Sequence, residues 1–261
     1  MRIQKKMVFL VLTLAAIATM LLALPNQTNR SLAFAGQEDN NMLQEPVAEY
    51  AAANRADSAR QLKSARYNKK GSKPIEELPL ADAVRLTTAH FWVGLPALPV
   101  EQSNAVVLGE VVDAQAYLSG DRTNVYSEFT IRVEEVLKND DRVALAPNCL
   151  VATDRPGGAV RFPSGRIQRF RTHRQGLPQK GKHYVLFLKR TDQGESLTIL
   201  TGYELRPGRV IPLDGEDVKD KKAELQFAKY RGLDERSFLN EVRTAVTQAS
   251  QTSHGMGGHG Q

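Results

Sequence analysis

Seven basic side chains, Arg161, Arg166, Arg169, Arg171, Arg174, Lys180 and Lys182, fall between residues 161 and 182 with no Asp or Glu among them. Phe162, Phe170 and Tyr184 are interleaved with them. Clustered cations attract a polyanion, and a cationic groove lined with stacking aromatics is how single-stranded nucleic acid is held. The local pattern argues against nucleic acid. Val160 and Phe162 alternate with Arg161, as on a half-buried hairpin whose aromatics face inward and whose arginines face water. The expectation is a basic surface for an anionic partner, be it a glycan, a lipid head group or an acidic protein.

Other reactive residue types are thinly spread. Cys149 is the one cysteine, so no disulfide can form within the chain; in the apolar run CLVAT it reads as a structural thiol. His173 and His183 flank a turn that holds Gly176 and Pro178, with no acidic or cysteine partner close in sequence, and His90 lies in an apolar patch. No H-E-x-x-H or paired C-x-x-C occurs, and His254 and His259 sit in a glycine-rich end that preorganises nothing, so no metal site or cofactor is expected. Ser164 belongs to the turn PSGR rather than to a G-x-S-x-G elbow. Glu134 and Glu135 are neighbours on a strand, point to opposite faces and cannot converge on one bond. RPGG lacks the lysine and helix that a phosphate-binding loop needs. No catalytic residue is expected.

The ends say where such a surface would work. Arg2, Lys5 and Lys6 precede an uncharged run from Met7 to Leu24, and Ala33-Phe34-Ala35 offers a small-x-small site before Gly36. A positive start and an apolar run read as an export signal over residues 1–35. The run over 7–24 is also long enough to stay in the membrane as an anchor, and both readings place the rest outside the cytoplasm. The whole chain has 35 Lys and Arg against 29 Asp and Glu; without the four cations of the leader the balance is 31 against 29. Eight of those cations lie within 155–182, so the remainder is acidic and the charge is polarised rather than generally basic.

The elements that must position the basic stretch are mostly strands. Residues 104–118 are valine-rich, with Gly109 marking a bulge or bend. VYSEFTIRVEEVL, residues 125–137, alternates with Val125, Ser127, Phe129, Ile131 and Val133 on one side. NCLVATD, a hairpin turning at Pro163-Ser164-Gly165, HYVLFLKR, SLTILTGYEL and RVIPLD follow. Six or seven short strands in this span predict a mainly β fold, a small barrel or sandwich over 101–214. Before it, 36–79 reads as a polar, disordered linker broken at NKKGSKP, with a helical patch possible between Glu45 and Tyr67. Residues 80–100 read as a short helix followed by a proline-rich connection. Residues 215–249 hold a C-terminal helix capped by Asp234, with Phe238, Leu239, Val242, Ala245 and Val246 at helical spacing, and 250–261 read as a flexible Gly/His tail.

The run VVLGEVVDAQAYLSGDRTNVYSEFTIRVEEVLK, together with RPGG, PSGR, LP-x-x-G-x-x-YVLFLKR and LTGYEL, resembles a family of uncharacterised exported bacterial proteins. Their barrel is similar to the OB-like fold of netrin-module and metalloprotease-inhibitor domains. The resemblance covers about residues 104–214 and implies an OB-like β-barrel with flanking helices. Inhibitors of that fold chelate metal through an N-terminal cysteine, and netrin modules are stapled by disulfides. Neither device exists in a chain whose one cysteine is Cys149, so no inhibitory site is transferred. The expectation is an exported, non-enzymatic binding or scaffold domain of the cell envelope. An envelope enzyme with catalytic groups on barrel loops, and a protease-regulating module suggested by fold analogy, are the alternatives.

Overall fold

The computed structural model describes residues 45–51, 58–79, 83–87, 95–140, 145–191, 196–215 and 226–255. The export signal or anchor at 1–35, His90, Phe91, Trp92 and His259 lie outside the described residues. The fold is mainly β, with two sheets and a few helices among the described residues. In chain order the elements are β1 (Val47–Glu49), α1 (Ser58–Arg66), β2 (Val84–Thr87), β3 (Ala105–Leu118), β4 (Val125–Asn139) and β5 (Leu150–Pro156). Then follow β6 (Gly158–Arg161), β7 (Ile167–Thr172), β8 (His183–Arg190), β9 (Leu197–Arg206), β10 (Arg209–Pro212) and α2 (Glu235–Gly255).

The larger sheet has the order β10-β9-β5-β4-β3-β8, and β8 also pairs with β9. β3–β4, β4–β5, β3–β8 and β8–β9 are antiparallel; β5 and β9 share a short parallel ladder at Thr153–Leu197 and Asp154–Thr198. The alternation expected in β4 is present: Val125, Ser127, Phe129, Ile131 and Val133 are buried. Phe129, Ile131 and Val133 pack with Val107, Val111, Leu186, Leu188, Leu197 and Ile199 into one apolar cluster, and withdrawing these side chains from water does most to hold the strands together. The bulge expected at Gly109 is also there, as a register shift between Leu108 and Gly109. A Cβ at Gly109 would stand 2.5 Å from the Arg132 carbonyl oxygen, so the strands approach as only glycine permits.

A second apolar cluster joins the outward sides of β3, β8 and β9 to the C-terminal region. Val106, Val185, Phe187, Leu200 and Tyr203 meet Phe227, Tyr230, Phe238 and Val242. Helix α2 contributes the Phe238 and Val242 stripe read from the sequence, and Asp234 caps it by accepting the Ser237 N–H at 3.0 Å. Lys138 reaches across the edge and donates to the carbonyls of Val100 and Ser103, both at 2.6 Å.

Arg155 and Asp214 form a wholly buried ion pair at 2.8 Å. The same guanidinium donates to the Gly176 and Leu200 carbonyls, while Asp214 also accepts from Thr201 Oγ1 and the Gly176 N–H. Burial raises the Asp214 carboxyl, and the Arg155 charge and these donors draw it back.

The structure differs from four expectations. Residues 36–79 read as an undocked linker, yet the described part from Glu45 to Pro79 contains docked structure. β1 adds in parallel to β6, Ile75 is buried, and α1 rests on β4 and β5. Docking by backbone pairing and charge needs few apolar side chains, which is why the composition conceals it. The helix expected within 80–100 is, at Val84–Thr87, a strand pairing in parallel with β7. Its Val84 and Leu86 are 50% and 60% exposed; Leu80, Phe91 and Trp92, the other apolar residues that suggested the helix, lie outside the described residues. Eight strands, β3 to β10, fall within 101–214 where six or seven were expected, and the hairpin β6–β7 joins β1 and β2 in a second sheet, β1-β6-β7-β2. Finally, α2 runs on to Gly255, into the stretch read as a flexible tail.

Candidate functional site: the basic hairpin

The hairpin β6–β7 turns where the sequence places it. The Phe162 N–H meets the Arg166 carbonyl at 2.9 Å, the Gly165 N–H meets the Phe162 carbonyl at 2.8 Å, and Gly165 takes a φ of 85°. The chain enters the hairpin through Gly157 and Gly158, both at positive φ; a Cβ on Gly158 would meet Ser127 Oγ at 2.8 Å. Phe162 and Phe170 turn inward with Ala48, Ile75, Ala116, Leu118, Val125 and Val160 to form a third apolar cluster. In this hairpin Phe162 and Phe170 are inside and Arg161, Arg166 and Arg171 outside, as expected, whereas Arg169 is largely covered. Tyr184 belongs instead to the β4-centred cluster, where its hydroxyl accepts the Gln179 N–H at 3.1 Å.

The cations are not alone on the surface. Arg161 pairs with Glu49 at 2.9 Å and Arg166 with Glu77 at 3.1 Å; Ser164 Oγ also bonds to Glu77. Arg169 and Arg171 share Glu45, at 3.0 and 3.5 Å. Lys180 faces Asp113 at 3.4 Å and Lys182 faces Glu204 at 3.8 Å. Arg174 holds a positive φ of 63° near the Arg155–Asp214 network, where its carbonyl accepts the Gly215 N–H at 3.0 Å. Three of the carboxylates, Glu45, Glu49 and Glu77, come from the N-terminal segment that reads as a linker. Sequence reasoning misses them because at least 89 positions separate each of them from its arginines, and no local pattern reports such a contact.

Exposure sorts the four arginines of the hairpin. The Arg161, Arg166 and Arg171 side chains are 48%, 46% and 52% exposed, whereas Arg169 is 11% exposed and bonds Glu45 from a largely covered position. Arg169 therefore anchors the N-terminal segment, and the other three present charge to solvent. Ion pairs at that exposure are worth about 0–1 kcal/mol each, so a multivalent anion competes with them on even terms.

The remaining candidates fall into place as structural residues. Cys149 is a free, half-buried thiol packed against the β4-centred cluster. Glu134 meets His183 at 3.0 Å and Glu135 meets Arg243 of α2 at 2.8 Å, so the two glutamates do diverge. Among the described residues no group of three or more His, Cys, Asp or Glu could hold a metal ion. Among them, too, no helix is long and apolar enough to cross a membrane.

The sequence conceals one polar site altogether. Asp154, fully buried on β5, accepts from Arg66 Nη2 at 2.5 Å and from the Tyr67 hydroxyl at 2.7 Å. The Tyr67 ring stacks on Tyr126 of β4 with centroids 4.4 Å apart and planes within 3°. Burial, then the adjacent Asp154 carboxylate, push the Tyr67 phenol well above the usual tyrosine range, so it stays protonated and donates. This contact buries Tyr126, which the alternation of β4 alone would turn to solvent. No protein-family model matches the chain, and no curated protein matches it at a significant level.

Proposed function

We propose that this chain is an exported, non-enzymatic binding domain whose OB-like barrel presents the β6–β7 hairpin to a multivalent anion of the cell envelope. The barrel reading is supported by the pairing: each of β3, β4, β5, β8 and β9 has a neighbour on both sides, with β5 and β9 parallel. The non-enzymatic reading is supported by a strand interior filled with Val107, Phe129, Ile131, Leu186 and Ile199. Export is supported by the Arg2, Lys5 and Lys6 start, the uncharged run over 7–24 and the Ala33-Phe34-Ala35 site.

The observation that carries the binding reading is the set of three half-exposed guanidinium groups on one short hairpin, Arg161, Arg166 and Arg171. Each is held in place by a weak surface pair rather than buried. A ligand offering several sulfate, phosphate or carboxylate groups replaces those partners without reorganising the backbone, and arginine suits such groups by its forked donors. Two sources share this chemistry, an acidic glycan and an anionic lipid head group.

The test is retention of the full chain on a heparin column and on vesicles with and without an anionic lipid. Retention is expected to fall steeply between low and high salt, and to be lost when Arg161, Arg166 and Arg171 become Ser together. Vesicle binding without heparin binding assigns the lipid, and the reverse assigns the glycan. Equal retention of the triple variant, with its thermal unfolding unchanged, overturns the proposal.

A further inference from the structure

Helix α1 is held to the rest of the molecule in an unusual way. It carries Arg60, Lys63 and Arg66 and no acidic residue, and its last turn, where a cation is favoured by the helix dipole, holds Lys63 and Arg66. Each cation meets a partner on the strands below. The Arg60 guanidinium lies 4.7 Å from the Tyr117 ring centroid on β3, Lys63 pairs with Glu128 of β4 at 3.3 Å, and Arg66 pairs with Asp154 of β5. Tyr67, one residue beyond, stacks on Tyr126. Its one leucine, Leu62, is 68% exposed, and none of residues 60–66 belongs to any of the three apolar clusters.

A nine-residue helix is below the length at which helices persist unaided in water, so α1 exists because of these contacts. They are ion pairs, a cation–π contact, one aromatic stack and two hydrogen bonds, from the Tyr67 hydroxyl to Asp154 and from the Gly120 N–H to the Ser64 carbonyl at 3.3 Å, with no apolar ridge set into a groove among the described residues. Such an element belongs to the low-stability end of a structure and opens without unfolding the rest. What it covers is a face of distinct character: Tyr117, Tyr126, Glu128 and Asp154, acidic and aromatic. Asp154 is fully buried under α1, and the buried Tyr126 hydroxyl has no hydrogen-bond partner among the described residues.

We propose that this acidic–aromatic face of β3, β4 and β5 is a binding site for a basic helical peptide ending in an Arg-Tyr pair, and that α1 is its resident occupant. A partner protein carrying cations at the spacing of Arg60, Lys63 and Arg66, followed by an aromatic, displaces α1 and takes its place. Each contact transfers to the incoming segment: one cation over Tyr117, one to Glu128, one to Asp154, and a ring on Tyr126. The site uses none of the hairpin arginines, so it stands or falls separately from the anion-binding proposal.

The probe is a fluorescent peptide with the sequence of residues 58–68, added to the full chain. In the wild type α1 competes from within, and binding is weak. In the variant Arg66→Ala, Tyr67→Ala the site is vacated, and the peptide is expected to bind at least about tenfold tighter, because the competing internal state is depopulated. Adding Glu128→Arg is expected to return binding to the wild-type level. An intact near-ultraviolet circular dichroism spectrum with no gain in peptide binding overturns the proposal. Hydrogen exchange on the wild type provides a check that needs no variant. The amides of 62–67 are expected to exchange at least about tenfold faster than those of β4 and to speed up in high salt. Exchange as slow as β4 and indifferent to salt overturns it equally.

Discussion

Arg155 is the largest side chain withdrawn completely from water among the described residues, and its partner Asp214 is buried with it. The pair joins β5 to the segments around Gly176 and after β10, three parts of the chain that no strand ladder connects directly. Removing one member strands the other charge, whereas removing both removes the charges but leaves the Gly176 and Leu200 carbonyls, the Thr201 hydroxyl and the Gly176 N–H without these partners. Arg155→Met is therefore expected to cost about 3–5 kcal/mol in urea unfolding, and Arg155→Met with Asp214→Leu to recover part of that loss. A double variant no more stable than the single one would show that the pair does not act as a unit. The sequence shows Arg155 only as the first cation of a basic run. Its environment is decided by the turn at Gly157 and Gly158, which ends β5 just after it. Phe162 and Phe170 were legible because each alternates with arginines on a strand, and alternation is a local property.

At the scale of the elements, β3, β4, β8, β9 and α2 were legible for the same reason: their periods of apolar residues are written in consecutive positions. Strands β1 and β2 were not, and α1 was legible as a helical patch between Glu45 and Tyr67 but not as a docked element. What holds them lies on partners far along the chain, Asp154 and Glu128 for α1 and the backbone edges of β6 and β7 for the two strands. The start of α2 was legible, and its pH behaviour follows from it. The Ser237 backbone N–H, and then its hydroxyl, donate to Asp234 and lower its pKa below the ordinary 3.8. A carboxylate depressed by folding stabilises the folded state above its unfolded pKa and loses that contribution as pH falls through the folded value. The first turn of α2 is expected to fray as the pH is lowered below about 4, seen as faster amide exchange at residues 236–238. Asp234→Asn, which can still cap, is expected to abolish that dependence without removing the helix. Unchanged fraying in that variant would move the titration to another group.

For the molecule as a whole, stability rests on three apolar clusters and no covalent link. With Cys149 as its one cysteine, the chain is expected to unfold at the same temperature with and without a thiol reductant. A shift would reveal a bond between two chains through Cys149. Charge is also organised at this scale: the hairpin's positive excess is largely met by Glu45, Glu49 and Glu77 of a segment remote in sequence, so the basic surface is smaller than the composition implies. That arrangement has a consequence in time. Glu49 lies 112 positions before Arg161, and Glu45 lies 124 before Arg169, so these contacts of the N-terminal arm wait for residues made much later. Such distant closures slow folding, while the β3–β4 pair forms from neighbours. During synthesis α1 lacks Asp154, β1 lacks its partners at 159–161 and β2 lacks its partners at 169–172 until those residues have followed them. Any process that receives the protein meanwhile meets that arm unclasped, with its acidic residues and its backbone edges open.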